Sequence, residues 1–420
     1  LRQTELLLYF IYDILVYIAS FFIRVIALFN AKLNLFVQGR KTVFQTLANN
    51  ISNSDKVIWF HTASLGEFEQ GLPVLEALKA QYPNYKFVLT FFSPSGYEVK
   101  KDSAVADVIT YLPLDTKANA RKFLKLTHPE LVVFVKYEFW PNYLAALKKQ
   151  QVHTISISTI FRKSQVFFKS YGGWMRKSLR AFQHIFVQDE ASQQLLHSIN
   201  FTDVTVSGDT RFDRVLEILD RDNTLSFIEN FKNNTTCMVI GSSWTEDEAV
   251  FVPYINASNE SCKFIIAPHN IKQPEIQKLK ASIKKSTVLF SEREQHDDLS
   301  QFEVFIVDTI GILTKVYSYA DIAYVGGGMG NTGLHNTLEP AVFGIPVVIG
   351  KNYSGFKEAE DLVKLGGVLS IASKATFQEC IQRLVTDEVH KNKVGTINHN
   401  YVHANGNARE KIITYLSFKK

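Results

Sequence analysis

Past residue 50 the chain alternates short β-branched or aromatic runs with stretches of helical periodicity, the signature of parallel βαβ units. The pattern predicts strands at Val57–His61, Phe87–Phe92, Leu131–Val135, Thr154–Ser158 and His184–Val187, with helices between them. A second series is predicted at Cys237–Gly241, Lys263–Pro268, Ile322–Val325 and Pro346–Ile349. Between the two series the polar stretch Asp220–Thr236, with Asn223, Asn233 and Asn234, reads as a linker. Two doubly wound domains joined there leave a cleft lined by the carboxyl ends of their strands. The expected fold class is therefore α/β, with doubly wound domains at residues 36–225 and 226–420 behind an N-terminal segment, residues 1–35.

That segment has a different pattern. From Leu6 to Asn30 the only charges are Asp13 and Arg24. At about 100° per residue Tyr9, Asp13, Tyr17, Ser20 and Arg24 share a narrow polar sector, and the rest of the surface is Leu, Ile, Val and Phe. The length suffices for a bilayer span of roughly 20 residues. Two charges at roughly 2.5–3.5 kcal/mol each favour a helix lying in the interface, or tilted with snorkelling ends. If the segment does span, Lys32, Arg40 and Lys41 put the next domain on the cytoplasmic side. A buried core helix is the alternative. No small-residue cleavage site follows the apolar run, so a removed signal peptide is not expected.

Composition adds exclusions. The 420 residues carry 46 Lys plus Arg against 41 Asp plus Glu, with 46% hydrophobic residues, so a disordered chain or a supercharged nucleic-acid tail is excluded. Cys237, Cys262 and Cys380 lie far apart and form no zinc or disulfide pattern, which suits a reducing compartment.

Two strand-to-loop transitions carry candidate chemistry. Residues 323–340 run from an apolar strand through Gly326-Gly327-Gly328-Met329-Gly330 to a helix start, and Gly328, Gly330 and Gly333 match G-x-G-x-x-G. That match suggests a nicotinamide-dependent oxidoreductase. Its late position argues against it, as does the absence of an acid after the next strand, which ends Gly350-Lys351. Glycine amides and a helix N-terminus nonetheless suit a phosphate. His335 and Glu339, four apart, are expected on one helix face, where Glu339 can accept from ribose hydroxyls; an ordinary tight turn is the alternative. In the first domain, His61-Thr62-Ala63-Ser64-Leu65-Gly66-Glu67 sets Glu67 at a strand-to-helix turn. There it serves as a general base or as a first-turn acid on the helix dipole.

Four motifs in order, Ala63-Ser64-Leu65-Gly66-Glu67, Tyr137-Glu138-Phe139-Trp140-Pro141-Asn142, Gly208-Asp209-Thr210-Arg211-Phe212-Asp213 and His335-Asn336-Thr337-Leu338-Glu339-Pro340-Ala341, resemble those of the 3-deoxy-D-manno-octulosonic acid (Kdo) transferases of lipopolysaccharide synthesis. The resemblance covers essentially the whole chain. It implies a GT-B fold with an N-terminal membrane anchor, at the cytoplasmic face of the inner membrane. It also implies inverting transfer of Kdo from CMP-Kdo to the tetra-acylated lipid A precursor, lipid IVA. By the same resemblance Glu67 is the general base and Glu138 a second acid on the acceptor side, with Ser95 and Gly96 also on that side. Pro268, His269, Gly327, Gly328, Met329, Gly330, Asn336, Glu339 and Arg211 are assigned to the nucleotide sugar. Two residues depart from the family pattern: Pro268-His269-Asn270 replaces Pro-Arg-His, and Trp244 stands where a His is common.

The chemistry asks for charge stabilisation on the leaving phosphate, by backbone amides and Arg211 or Lys351, and for neither metal nor resident cofactor. The acidic run Glu292, Glu294, His296, Asp297, Asp298 lacks ligand spacing and reads as a solvated loop. Residues 161–186 contain Arg162, Lys163, Lys169, Arg176, Lys177 and Arg180 and no acid, interleaved with Phe167, Phe168, Tyr171, Trp174 and Phe182. The combination suits an anionic membrane and a phosphorylated lipid acceptor, with Arg162, Lys163, Arg176 and Lys177 as contacts. Core packing of the aromatics is the alternative, and nucleic acid is not expected as a partner. A non-catalytic nucleotide-sugar sensor is a third reading of the whole.

Overall fold

A run such as Val57–Thr62, buried at every position, has no face to offer to water, and the strand that accommodates it is an inner strand of a parallel sheet covered on both sides. The computed structural model describes residues 2–258 and 262–417, with side chains from residue 7 onward. Leu1, residues 259–261 and residues 418–420, which fall in the expected segments, lie outside the described residues.

The chain forms two compact units. The first runs to Arg214 and resumes at Gly406. Its sheet comprises β1 (Val57–Thr62), β2 (Lys86–Phe91), β3 (Val108–Tyr111), β4 (Leu131–Val135), β5 (His153–Thr159), β6 (His184–Val187) and β7 (Val204–Val206). All strands are parallel, in the order β3-β2-β1-β4-β5-β6-β7. Side chains alternate between two cores: Val57, Trp59, Val132 and Phe134 on one face, Ile58, Phe60, Val133 and Val135 on the other.

The second unit, Val215–Asn405, repeats the plan with β8 (Thr236–Ser243), β9 (Cys262–Pro268), β10 (Thr287–Leu289), β11 (Val304–Ile306), β12 (Ile322–Val325), β13 (Val347–Gly350) and β14 (Val368–Ile371). Their order is β10-β11-β9-β8-β12-β13-β14, again parallel. In each sheet the order reverses beside the first strand, at β1/β4 and at β8/β12. Ligands of open α/β sheets bind at the carboxyl ends of such a pair.

Two boundaries differ from the sequence reading. The stretch expected as a linker contains the helix Ser226–Lys232, whose Ile228 and Phe231 are fully buried, and Thr236 already begins β8. The chain's end packs on the first unit. The helix Ala408–Ser417 buries Ile412 and Leu416 in that unit's core, and Asp213 accepts hydrogen bonds from the Asn407 and Arg409 amides. Asparagine-rich polarity marks solvated backbone, and helix ends and turns provide that as readily as a linker does.

The N-terminal helix, Arg2–Ile26, is not a core helix. Of the 20-residue window Leu7–Ile26 only 6% is buried. The N-terminal part of its polar side faces the protein: Tyr9 Oη donates to the Pro141 carbonyl (2.7 Å) and Tyr12 Oη to Asp115 (2.7 Å), while Asp13 accepts from Asn142 Nδ2 (2.9 Å) and pairs with Lys117; Tyr17 and Arg24 are exposed. Phe10, Leu15, Phe21, Phe22, Leu28 and Phe29 face outward. This inverts the usual surface helix, whose apolar stripe faces the core.

Candidate functional site

At the first switch point, Ser64 follows β1 as the N-cap of the helix Leu65–Gln81 and accepts from the Glu67 amide (3.4 Å). Glu67 returns a carboxylate oxygen to the Ala63 N–H (2.5 Å), so it ties down the turn as a capping acid does. The same carboxyl has a second property. Burial, then the negative charge of Glu138, push its pKa up to about 7, against the weaker opposing pull of the Ala63 hydrogen bond and Lys136. A carboxyl poised near neutrality is the condition for a general base.

Glu138 follows β4, on the other side of the switch. Its Oε2 accepts from Trp140 Nε1 (2.7 Å) and lies 3.0 Å from Nε2 of His61, which is fully buried. His61 Nδ1 faces the Thr90 carbonyl (3.1 Å) and hydroxyl (2.8 Å). A carbonyl only accepts, so the hydrogen belongs on Nδ1. Nε2 faces Glu138 and also the Trp140 Nε1–H, 3.3 Å away, so His61, Trp140 and Glu138 form one buried cluster beside Glu67. Lys136, at the end of β4, adopts φ +62, an uncommon conformation for a residue with a Cβ, at the point where the chain turns into the site.

Other expected acceptor-side residues gather here. Gly96 lets the helix Pro94–Lys100 close on the start of the Glu67 helix: a Cβ on it would stand 3.0 Å from the Leu65 amide nitrogen and nearer still to Phe91. Ser95 Oγ bonds Ser93 Oγ (2.9 Å), and the Ser93 amide donates to the Ala63 carbonyl (2.7 Å). Arg211 stands in the first unit. It pairs with buried Asp209 (2.8 Å), which also accepts from Gln70 on the Glu67 helix (3.1 Å).

The basic stretch divides. Phe161, Phe167 and Phe182 are buried around Phe139, and Trp174 packs on Tyr9 and Tyr12, so these aromatics are core rather than membrane inserts; Tyr171 is exposed. Arg176 braces the fold by donating to the Phe167 and Lys169 carbonyls. Arg162, Lys163, Lys177 and Arg180 are exposed, and Arg162 lies close enough to Tyr137 to oppose its raised pKa.

At the second switch point the glycine turn follows β12. Gly327 needs its φ of +91, and a Cβ there would collide with the Gly333 carbonyl. The predicted helix does not start at His335. It covers only Leu338–Ala341, so His335 and Glu339 share no helix face and the turn has no full helix dipole behind it. Residues 329–337 instead run as bends, with the His335 amide donating to the Gly326 carbonyl (3.2 Å). Asn336 caps the short helix by accepting from the Leu338 amide (3.1 Å) and donates to Glu339 (3.2 Å).

Not every glycine amide is available to a ligand. Gly326 N–H goes to the Gly241 carbonyl (2.9 Å), and Gly327 N–H to Asp247 (2.8 Å). Asp247 is fully buried and also accepts from Tyr324 Oη and the Trp244 amide. Among the described residues no acceptor meets the amides of Gly328, Met329 and Gly330. Beside them Trp244, after β8, stacks on His269, after β9 (ring centroids 4.3 Å apart), and His269 lies 4.6 Å from His335. Pro268 ends β9 and positions His269, whose amide donates to the Ser243 carbonyl (2.9 Å).

The acidic run at 292–298 is framed by 3₁₀ turns: Glu292 pairs with Lys280 and Glu294 with Arg293, while Asp298 caps Ser300. Among the described residues no cluster of three His, Cys, Asp or Glu side chains is arranged to hold a metal. Sequence reasoning missed His61, Thr90, Trp140 and Asp247 as members of these sites. For His61 a signal existed, an ionisable residue inside an otherwise apolar strand.

Two parallel doubly wound units, with carboxylates at one switch point and a glycine turn at the other, have the architecture of the GT-B fold class. A solved UDP-GlcNAc 2-epimerase from Neisseria meningitidis has a similar fold, with TM-score 0.60 and 16% identity over 87% of this chain and all of that one. Residues 38–214 match the family model described as 3-Deoxy-D-manno-octulosonic-acid transferase (kdotransferase). A 3-deoxy-D-manno-octulosonic acid transferase of Aquifex aeolicus is 28% identical over 79% of this chain and 91% of its own length. Another, of Haemophilus influenzae, is 24% identical over 86% of each. These matches make the chain similar in sequence to Kdo transferases, over residues 38–214 for the family model and over most of its length for the individual relatives.

Proposed function

We propose that this enzyme transfers Kdo from CMP-Kdo to the tetra-acylated lipid A precursor with inversion, without a resident metal or cofactor. The observation that carries the reading is the Glu67 carboxyl at the β1/β4 switch, raised to about 7 beside Glu138. Glu67 takes the proton of the acceptor hydroxyl as its oxygen bonds to the anomeric carbon of Kdo. The bond from that carbon to the phosphate of CMP breaks, and CMP leaves with the electron pair. The amides of Gly328, Met329 and Gly330, with Lys351, stabilise the leaving phosphate, and Glu339 holds the ribose. His61 and Trp140 keep Glu138 in place. The exposed cations of the basic stretch attract the acceptor phosphates, and the outward apolar face of the N-terminal helix lies on the cytoplasmic face of the inner membrane.

Nothing in the second unit favours the nicotinamide alternative. Its glycine turn follows the fifth strand of that unit rather than the first, and β13 ends in Gly350 with no ribose-binding acid. The deciding experiment is the product mass after incubation with CMP-Kdo and the lipid acceptor. An acceptor heavier by one or more Kdo supports the reading. Unchanged acceptor in the presence of intact donor overturns it.

A further inference from the structure

Trp244, after β8, and His269, after β9, both lie against His335 of the glycine turn. Trp244 Nε1, which can only donate, points its hydrogen at His335 Nε2 (3.2 Å). An imidazole nitrogen that accepts carries no hydrogen of its own, so the neutral ring must hold its hydrogen on Nδ1. The indole and the His335 ring are close to parallel (19°), and the His269 ring lies 4.3 Å from the indole and 4.6 Å from His335, so the three rings form one plate. The His335 backbone is fixed independently by its hydrogen bond to Gly326 at the glycine turn. Among the described residues nothing accepts from Nδ1.

We propose that Trp244 is a positioning residue that locks His335 as a neutral imidazole protonated on Nδ1, and that this N–H is a donor to a phosphate oxygen of the bound nucleotide. The second half rests on the nucleotide reading of this unit; the first does not. A second proton, on Nε2, would charge the ring, aim an N–H at the indole N–H and lose the bond between them. The groups facing His335 are Trp244, His269 and, on the helix Thr245–Ala257, Asp247. Burial and His269 lower its pKa, and Asp247 opposes them. The nucleotide contact supplied by His335 is then insensitive to pH across the range in which an ordinary histidine becomes charged.

The test uses the whole protein with ¹⁵N-labelled histidine. The His335 ring signals are assigned by their loss in His335→Gln and followed between about pH 5.5 and pH 8. A neutral ring with hydrogen on Nδ1 throughout is the expected result. A ring protonated on Nε2, or charged at pH 6, in the unaltered protein overturns the lock without reliance on any variant. Trp244→Phe keeps an aromatic plate and removes the donor, so His335 should begin to titrate. CMP affinity of that variant, measured by calorimetry, should then rise on the order of tenfold relative to the unaltered protein as pH falls over this range, because a hydrogen bond from a charged donor is about twice as strong as one from a neutral donor. Locked histidine signals with CMP affinity unmoved by His335→Gln overturn the phosphate contact. Absence of any CMP binding to the unaltered protein overturns the nucleotide reading instead, and the ring signals still decide the lock.

Discussion

Replacing Glu67 with Gln removes the base while keeping the turn, since the amide oxygen still accepts from Ala63 N–H. Transfer should fall by roughly 10²–10⁴-fold, the usual range for loss of a general base. The structure adds two further readouts. A base must be ionised to act, so kcat/KM of the unaltered enzyme should rise with pH through about 7 and level off above it. The Glu138 charge helps to hold Glu67 there, so Glu138→Gln should move that limb to lower pH by roughly one unit, the low end of what a neighbouring charge does. Stability should move the opposite way to activity. An ordinary Glu titrates near 4.5 and Glu67 near 7, so its contribution to stability is full below 4.5 and is lost as pH rises through 7. At about 1.36 kcal/mol per pH unit the loss is at most about 3 kcal/mol. Glu67→Gln carries no such penalty. It should be more stable than the parent toward urea at pH 8.5, by about 2–3 kcal/mol at most, and nearly equal to it at pH 4.5. Retention of more than a tenth of the rate, or a pH profile without a limb near 7, refutes the assignment of Glu67 as base and leaves it a capping residue.

Glu339→Ala should weaken CMP and donor binding together with little change in kcat, because a ribose contact acts equally in ground and transition states; an unchanged donor KM moves the nucleotide elsewhere. Neutralising Arg162, Lys163, Lys177 and Arg180 should raise the KM for the lipid acceptor and leave CMP binding unaltered, with an effect of about 4 kcal/mol at low salt that shrinks as salt rises. Arg176 is excluded from that set because its carbonyl contacts brace the fold. Changing Phe10, Phe21 and Phe22 to Gln should release the protein from sedimenting vesicles while leaving its melting temperature unchanged, because these rings already face outward. Persistent membrane binding by that variant would show that another surface holds the protein there.

The helix deserves comparison with the strands, because the two were legible to different depths. Every strand read from the sequence exists to within a residue or two at its ends. Those passed over are Val108–Tyr111, Val204–Val206, Thr287–Leu289, Val304–Ile306 and Val368–Ile371. Four of the five are sheet edges and the fifth adjoins one. An inner strand of a parallel sheet is buried on both faces and leaves an unbroken apolar run, whereas an edge strand is short and partly solvated, so it leaves three or four residues with no period. For the N-terminal segment the amphipathic pattern was visible, but a polar stripe carries no sign of what it faces. Only the contacts to Asp115, Pro141 and Asn142 reveal that the protein takes the polar side.

The sites divide in the same way, by whether chemistry or packing identifies the residue. Glu67 was visible as a carboxylate at a strand-to-helix turn, with a capping role as the alternative, and Glu138 only through the motif resemblance; topology sets the two on the two sides of one switch. The glycine turn was legible as a place of close backbone approach but not as a set of donors. Glycine permits an amide to face a ligand; it does not say which amide does. Asp247, about 80 residues earlier in the chain, takes the Gly327 N–H. A buried carboxylate there would repel a phosphate held directly on Gly327, so on the proposed nucleotide reading the phosphate is met by other amides of the turn.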